Sequence, residues 1–262
     1  MKQRIITAVI FGIILISLTI VGGVPLLILA YLAATIALYE LLRMRKLKLL
    51  SIAGLISMLV LWIILLPSKY ESLLLDLGLT KVELTLFAVL LFLSYTVATK
   101  NRFTFDDVAF SVISILYIGM GFHYFLETRE EGLVYIFYSL FIIWATDSGA
   151  YFIGKATGKR KLWPEISPNK TIEGSIGGIL CAVVVSVVYG LITNIDINLL
   201  HLGIMTIILS IFGQIGDLVE SAFKRHYQVK DSGNLLPGHG GILDRFDSLL
   251  FVWPLIHFLQ LI

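Results

Sequence analysis

Residues 221–247 read SAFKRHYQVKDSGNLLPGHGGILDRFD and hold the densest polar chemistry in the chain. Lys224, Arg225, Lys230 and Arg245 are cations, Asp231, Asp244 and Asp247 are carboxylates, and His239 sits in a PGHGG run with Gly238, Gly240 and Gly241. A charged, glycine-rich insert between two apolar segments is poorly suited to a packed core. It is well suited to phosphate and metal chemistry. His239 fits phosphate binding or base stacking, and it equally fits a structural turn.

More acids lie inside or beside apolar runs. Asp147 stands in FIIWATDSGAYFIG and Asp217 in IFGQIGDLVES. An Asp near a bilayer centre costs roughly 2.5 to 3.5 kcal/mol on insertion scales, so each is a functional candidate by default. Counted from the outer end of its apolar run, Asp147 is about 14 residues in, or roughly 21 Å deep in a core of about 30 Å. Asp217 lies near the inner end of the next-to-last run, and Asp244 and Asp247 precede the last. Four carboxylates from three segments thus share the cytoplasmic third of the membrane. The plainer alternative is separate helix-end carboxylates facing headgroups, and Asp247 also suits an N-cap of the last helix.

Hard divalent ions take oxygen ligands, and Mg²⁺ is commonly held by one or two carboxylates with substrate phosphates. Asp147, Asp217, Asp244 and Asp247 meet that need, and no Cys or His spacing suggests zinc. On a helix Asp217, Glu220 or Ser221, and Lys224 share one face, a metal ligand followed by a phosphate-binding cation. Gly213 and Gly216, one turn earlier, permit close approach of a ligand or merely of another helix.

A second polar loop spans 154–173. Its Lys155, Lys159, Arg160 and Lys161 also serve as ordinary positive-inside anchors. The following SPNKTIEG is more specific: Lys170 offers a cation, Thr171 a hydroxyl, and Glu173–Gly174 opens the next helix. The pattern resembles a phosphate clasp without being a Walker A loop, and Thr171 or Ser167 also fits a plain helix cap.

These loops need a scaffold, and the composition says which kind. The 262 residues are 58% hydrophobic and 15% charged, with mean hydropathy +0.92. Soluble domains carry about 25% charged residues, so the chain belongs to the membrane class. A net charge of +2 gives no footprint for nucleic acid. Cys181, a lone cysteine in an apolar run, excludes an internal disulfide and reads as a buried thiol. His123, His201 and His257 lie in or beside apolar runs and read as structural. The basic, apolar start lacks a clean small-residue cleavage site and reads as a retained first helix.

Apolar segments of spanning length predict helices over 5–21, 24–42, 49–66, 82–99, 108–126, 133–153, 174–193, 198–220 and 248–262. The first two, parted by Gly22, Gly23 and Pro25, suit a tight hairpin that need not cross fully, and the short last one suits a partial re-entry. With the N-terminus in the cytoplasm, the inner loops hold 17 of the 20 Lys and Arg residues; Lys69, Lys81 and Arg129 are the 3 outside. That bias fixes the orientation. The expected architecture is an all-α polytopic bundle of about nine transmembrane helices. Residues 1–130 form a scaffold region, and 131–262 a catalytic region with cytoplasmic loops 154–173 and 221–247.

The 221–247 stretch resembles the signature of the phosphatidate cytidylyltransferase (CDP-diacylglycerol synthase) family. The resemblance rests on Ser221, Lys224, Arg225, Lys230, Asp231, Gly233, Leu236, Pro237, His239, Gly240, Gly241, Ile242, Asp244, Arg245, Phe246 and Asp247, with no departure from the pattern. The upstream DSGAYFIGKATGKRKLWPEISPNKTIEG is similar to the family's other block. The first 130 residues are similar only in hydropathy.

The resemblance implies attack of phosphatidic acid on CTP, giving CDP-diacylglycerol and pyrophosphate. It implies Mg²⁺, often with a monovalent cation such as K⁺, and a multi-pass inner-membrane enzyme, commonly a homodimer, facing the cytoplasm. On this reading Asp217 and Asp244 hold the principal metal, and Asp147 and Asp247 complete a second cation site or orient ligands. Lys170, Lys224, Arg225, Lys230 and Arg245 hold the phosphates, with Thr171, Ser221, His239, Gly240 and Gly241 beside them. The nearest rival is another lipid enzyme using CTP, such as a polyprenol kinase. A cation-coupled transporter predicts repeats in the two halves and broken helices near the midplane, whereas here the acids sit toward one side and the polar mass is confined to one half.

Overall fold

Gly22 and Gly23 break the first apolar run from the second. Both adopt left-handed backbone conformations, with φ of 68° and 57°, which glycine reaches without a Cβ clash. The break separates α1 (Lys2–Val21) from α2 (Gly23–Met44), where Pro25 is tolerated in the first turn. The computed structural model describes residues 2–193, 195, 197–235, 238 and 240–262. Along these run α3 (Ile52–Leu65), α4 (Ser72–Leu75), α5 (Lys81–Ala98), α6 (Phe105–Glu131), α7 (Leu133–Thr157), α8 (Ile172–Thr193), α9 (Leu199–His226), α10 (Leu243–Phe246) and α11 (Leu249–Phe258). A short antiparallel hairpin, β1 (Lys161–Trp163) and β2 (Ser167–Thr171), joins α7 to α8.

Helix starts follow from capping chemistry. Ser51 accepts from Gly54 N at 3.2 Å to open α3, and Asn198 accepts from Leu200 N at 2.8 Å to open α9. Thr80 and Glu83 form a reciprocal capping box at α5. Thr104 and Asp107 do the same for α6, and Arg45 Nε donates to the same Asp107 at 2.8 Å.

Each of the nine expected apolar segments contains a helix. Among the described residues, six are long and apolar enough to cross a membrane: α2, α5, α6, α7, α8 and α9. α3 qualifies only with the following Ser68–Leu75 as a pair bent by 99°, while Val9–Val21 and α11 are shorter apolar helices. The protein is therefore an all-α polytopic membrane protein, with six helices able to cross among the described residues, or seven if the bent pair counts as one span. Large apolar side chains stay exposed on these helices, including Val97, Leu180 and Ile192. Such apolar surface suits lipid rather than water.

Two boundaries differ from expectation. The 154–173 stretch is not an open loop: α7 runs on to Thr157 and the hairpin follows, its start held by Glu173, which accepts from Lys159 N at 3.1 Å. The 221–247 stretch begins as helix, because α9 continues six residues beyond Glu220. Lys224, Arg225 and His226 fill its last turn, where cations complement the helix dipole.

The chain divides into two compact units. One comprises Met1–Glu127 with Asp231–Leu243, and the other Thr128–Lys230 with Asp244–Ile262. In the first, Gly119 of α6 lies against Ile64 of α3. In the second, α7 and α8 meet backbone to backbone through glycines: a Cβ at Gly178 would meet Thr146 O at 2.5 Å, and one at Gly174 would meet Ala150 O at 2.7 Å. Buried polar pairs then tie α7 to its other neighbours. Tyr138 OH bonds Thr206 Oγ1 and Thr146 Oγ1 bonds Ser210 Oγ, both at 2.8 Å, and Trp253 Nε1 donates to Ser139 Oγ at 3.1 Å.

Candidate active site

The close approach of α7 and α8 opens into a cavity of about 580 Å³ in the second unit. Its volume falls in the range of small-molecule sites, about 300–1,000 Å³. Asp147 comes from α7, Lys170 and Thr171 from β2, Ser175 from α8, and Gln214 and Asp217 from α9; Lys155 and Lys161 add positive charge to the wall. Asp147 and Asp217, expected to share one depth, thus line one cavity.

Asp217 is the centre of this arrangement. Lys170 Nζ donates to its Oδ2 at 2.6 Å, and Ser221, one turn on, approaches its Oδ1 at 3.4 Å. Both members of the ion pair remain about one-third exposed, with side-chain exposures of 27% and 32%, so the pair is open to exchange of partners. Thr171 Oγ1 accepts from Gly174 N at 3.1 Å and caps α8, which sets the strand end that carries Lys170.

A second charged group lies at the end of α9. Lys224 Nζ pairs with Asp244 of α10 at 2.7 Å and with the wholly buried Glu220 one turn back. Glu220 was expected on this face without a role of its own; its complete burial identifies it as the inner partner of Lys224. Gly216 allows the chain entering α11 to reach α9, since a Cβ there would meet Asp247 O at 2.6 Å. Asp247 does not cap α11, whose N-cap is Ser248; its Oδ1 accepts from Ser248 N at 2.7 Å. Burial first, then the negative charge of Asp217 and more weakly that of Asp147, push the Asp247 carboxyl up to about 7, against the Ser248 N–H and Lys224.

Three carboxylates that repel one another, with no sulfur or imidazole in the set, suit a hard, oxygen-seeking cation such as Mg²⁺. Among the described residues, no three or more His, Cys, Asp or Glu side chains already converge in metal-binding geometry. Lys170 and Lys224 instead neutralise Asp217 and Asp244 directly.

Other expected site residues stand apart from the cavity. Arg225 Nε donates to Ile166 O at 3.2 Å and ties the end of α9 to the hairpin turn. Lys230 and Arg245 are exposed and do not line the cavity. Gly240 and Gly241 belong to the first unit. His239 lies outside the described residues.

The family model described as the cytidylyltransferase family matches residues 2–262. The phosphatidate cytidylyltransferase of Bacillus subtilis (strain 168) is 59% identical over 262 residues, covering 99% of this chain and 97% of that protein. The proteins of the same name from Staphylococcus epidermidis (strain ATCC 12228) and Staphylococcus haemolyticus (strain JCSC1435) are 53% and 51% identical over 259 residues, covering 99% of this chain and 98% of each.

Proposed function

The chain belongs to the cytidylyltransferase family, and we propose that it transfers the cytidylyl group of CTP to phosphatidic acid, releasing pyrophosphate. It is a nucleotidyltransferase. The observation that carries the specific reaction is the cavity in which Lys170 and Asp217 pair beside Asp147. A cation and acids there can receive a triphosphate and its metal together.

A phosphate oxygen of phosphatidic acid attacks the α-phosphorus of CTP. The bond from that phosphorus to the bridging oxygen breaks, and pyrophosphate leaves with the electron pair. The attacking oxygen is already anionic, so no side chain need remove a proton. What the protein must supply is charge neutralisation and alignment. Lys170 and Lys224 exchange their aspartate partners for phosphate oxygens, which frees Asp217 and Asp244. Arg225, Lys230 and Arg245 bind the outer phosphates and the lipid head group. Thr171 and Ser221 complete these phosphate contacts, and His239, with Gly240 and Gly241 of the first unit, are further phosphate-binding candidates.

Mg²⁺, when bound, draws charge from the attacking and leaving oxygens. Asp217 and Asp244 would hold it, with Asp147 and Asp247 holding a second cation such as K⁺ or orienting the first set. The Lys and Arg bias supports a cytoplasmic N-terminus, about nine membrane segments and a site facing the cytoplasm. CTP would then arrive from the cytosol and phosphatidic acid laterally from the inner bacterial membrane. Residues 1–130 act as scaffold and 131–262 as the catalytic region. The working form is a homodimer.

The test uses purified protein in detergent micelles with phosphatidic acid and CTP radiolabelled at either the α- or the γ-phosphate. Lipid-extractable label from the α position alone, lost on chelation, is expected. Label from the γ position alone would identify a lipid kinase and overturn the reaction.

A further inference from the structure

The first unit contains a buried acid whose partners, Ser232, Ile242 and Leu243, flank a glycine-rich run. Glu40 is the sole acid in α2 and is 2% exposed. Its Oε1 accepts from Ile242 N at 3.0 Å, and its Oε2 accepts from Leu243 N at 2.9 Å and from Ser232 Oγ at 3.0 Å. One carboxylate therefore grips that run at both ends. A Cβ at Gly233 or at Gly241 would overlap this carboxylate, so both positions need glycine to close around it. Between the grips, Gly238 and Gly240 take left-handed conformations, with φ of 78° and 79°.

We propose that Glu40 is a positioning residue that fixes Ser232, Ile242 and Leu243, and with them the neighbouring Gly240 and Gly241, for phosphate binding. This rests on the phosphate-binding role proposed above for Gly240 and Gly241. A buried carboxylate is costly unless its lone pairs are satisfied, and an apolar residue of similar size is commonly the more stable choice. The acid therefore has a use beyond packing α2. Two backbone N–H groups, one on each oxygen, define that use. They hold Ile242 and Leu243 in place, and Leu243 is followed in the chain by Asp244. A glutamine would accept at one oxygen but face the other N–H with its own NH₂ group.

The experiment compares wild type with Glu40→Gln as full-length protein in detergent. It measures kcat and KM for CTP together with hydrogen exchange at the Ile242 and Leu243 amides. Expected are a KM for CTP raised about tenfold and amide exchange accelerated about a hundredfold at those two sites, with α2 amides unchanged. Unchanged exchange overturns the grip. A lower kcat per mole of protein with unchanged KM overturns positioning, because it shows only a smaller folded fraction. If Glu40→Gln does not fold, Ser232→Ala removes one donor and keeps the carboxylate; it should raise KM about threefold, and an unchanged KM overturns the proposal. If wild type transfers no cytidylyl group, the reaction assigned above fails on its own, and the exchange data still decide whether Glu40 holds Ile242 and Leu243.

Discussion

Two acids in apolar helices, Asp217 of α9 and Glu40 of α2, solve the same problem with different partners. Asp217 is neutralised by the ammonium of Lys170, a flexible side chain in a part-exposed cavity. Among the described contacts, Glu40 accepts hydrogen bonds from two backbone N–H groups and a serine hydroxyl, all buried. An ammonium on a four-carbon stem can leave for another anion, whereas a backbone N–H cannot leave without moving the chain. The first arrangement suits turnover and the second suits architecture. If that distinction is right, conservative amide substitutions at the two positions must fail in different ways.

Asp217→Asn gives the largest expected effect. It keeps size and removes the charge that holds Lys170 and would hold the metal. Cytidylyl transfer should fall by about 10³-fold or more, with little change in thermal midpoint, because the site is part-exposed. An active Asp217→Asn protein would break the comparison at its first term. Lys170→Gln is next. It leaves Asp217 without its cation and CTP without one phosphate contact, and kcat/KM should fall about 10²-fold. An effect confined to stability would make Lys170 as architectural as the contacts of Glu40.

The two regions also differ in how far their sequence declared them. The aspartates were legible because a charge in an apolar run is costly and needs a reason. That three of them come close enough to repel is consistent with their common depth. Glu40 also stands in an apolar run, but its partners lie 192 to 203 residues away in the chain, and no local pattern names them. The hairpin was hidden for another reason. Its strands, KLW and SPNKT, are short, carry a proline and lack apolar alternation, so only the Glu173 grip and the pairing reveal them. Hydropathy ended α9 at Glu220 because the next turns are charged. Helix formation continues there, since Glu, Ser, Ala, Lys and Arg disfavour it little and the dipole rewards the final cations.

Acidity gives an intermediate effect. The Asp247 carboxyl is raised to about 7, so below that pH it holds a proton more often than not. A cation must displace that proton, which makes the sign clear: acid weakens metal binding. The concentration of the cation held by Asp147 and Asp247 that gives half-maximal rate should rise about tenfold per pH unit below about 7 and level off above it. Asp247→Asn should flatten this profile. A profile that stays steep in Asp247→Asn would assign the proton to another group.

The smallest effect separates the two serines. Ser221 approaches Asp217 at 3.4 Å across a part-exposed site, a long contact that adds little. Ser232 meets Glu40 at 3.0 Å in full burial. Ser221→Ala should therefore leave thermal stability unchanged and, through loss of one phosphate contact, lower kcat/KM by about threefold to tenfold, borne by KM for CTP. Ser232→Ala should lower unfolding free energy by about 1 kcal/mol, because a buried acceptor loses one of its donors. An unchanged KM for CTP in Ser221→Ala would remove this hydroxyl from the phosphate contacts. Lys224, one turn further along α9, would then bind phosphate there without it.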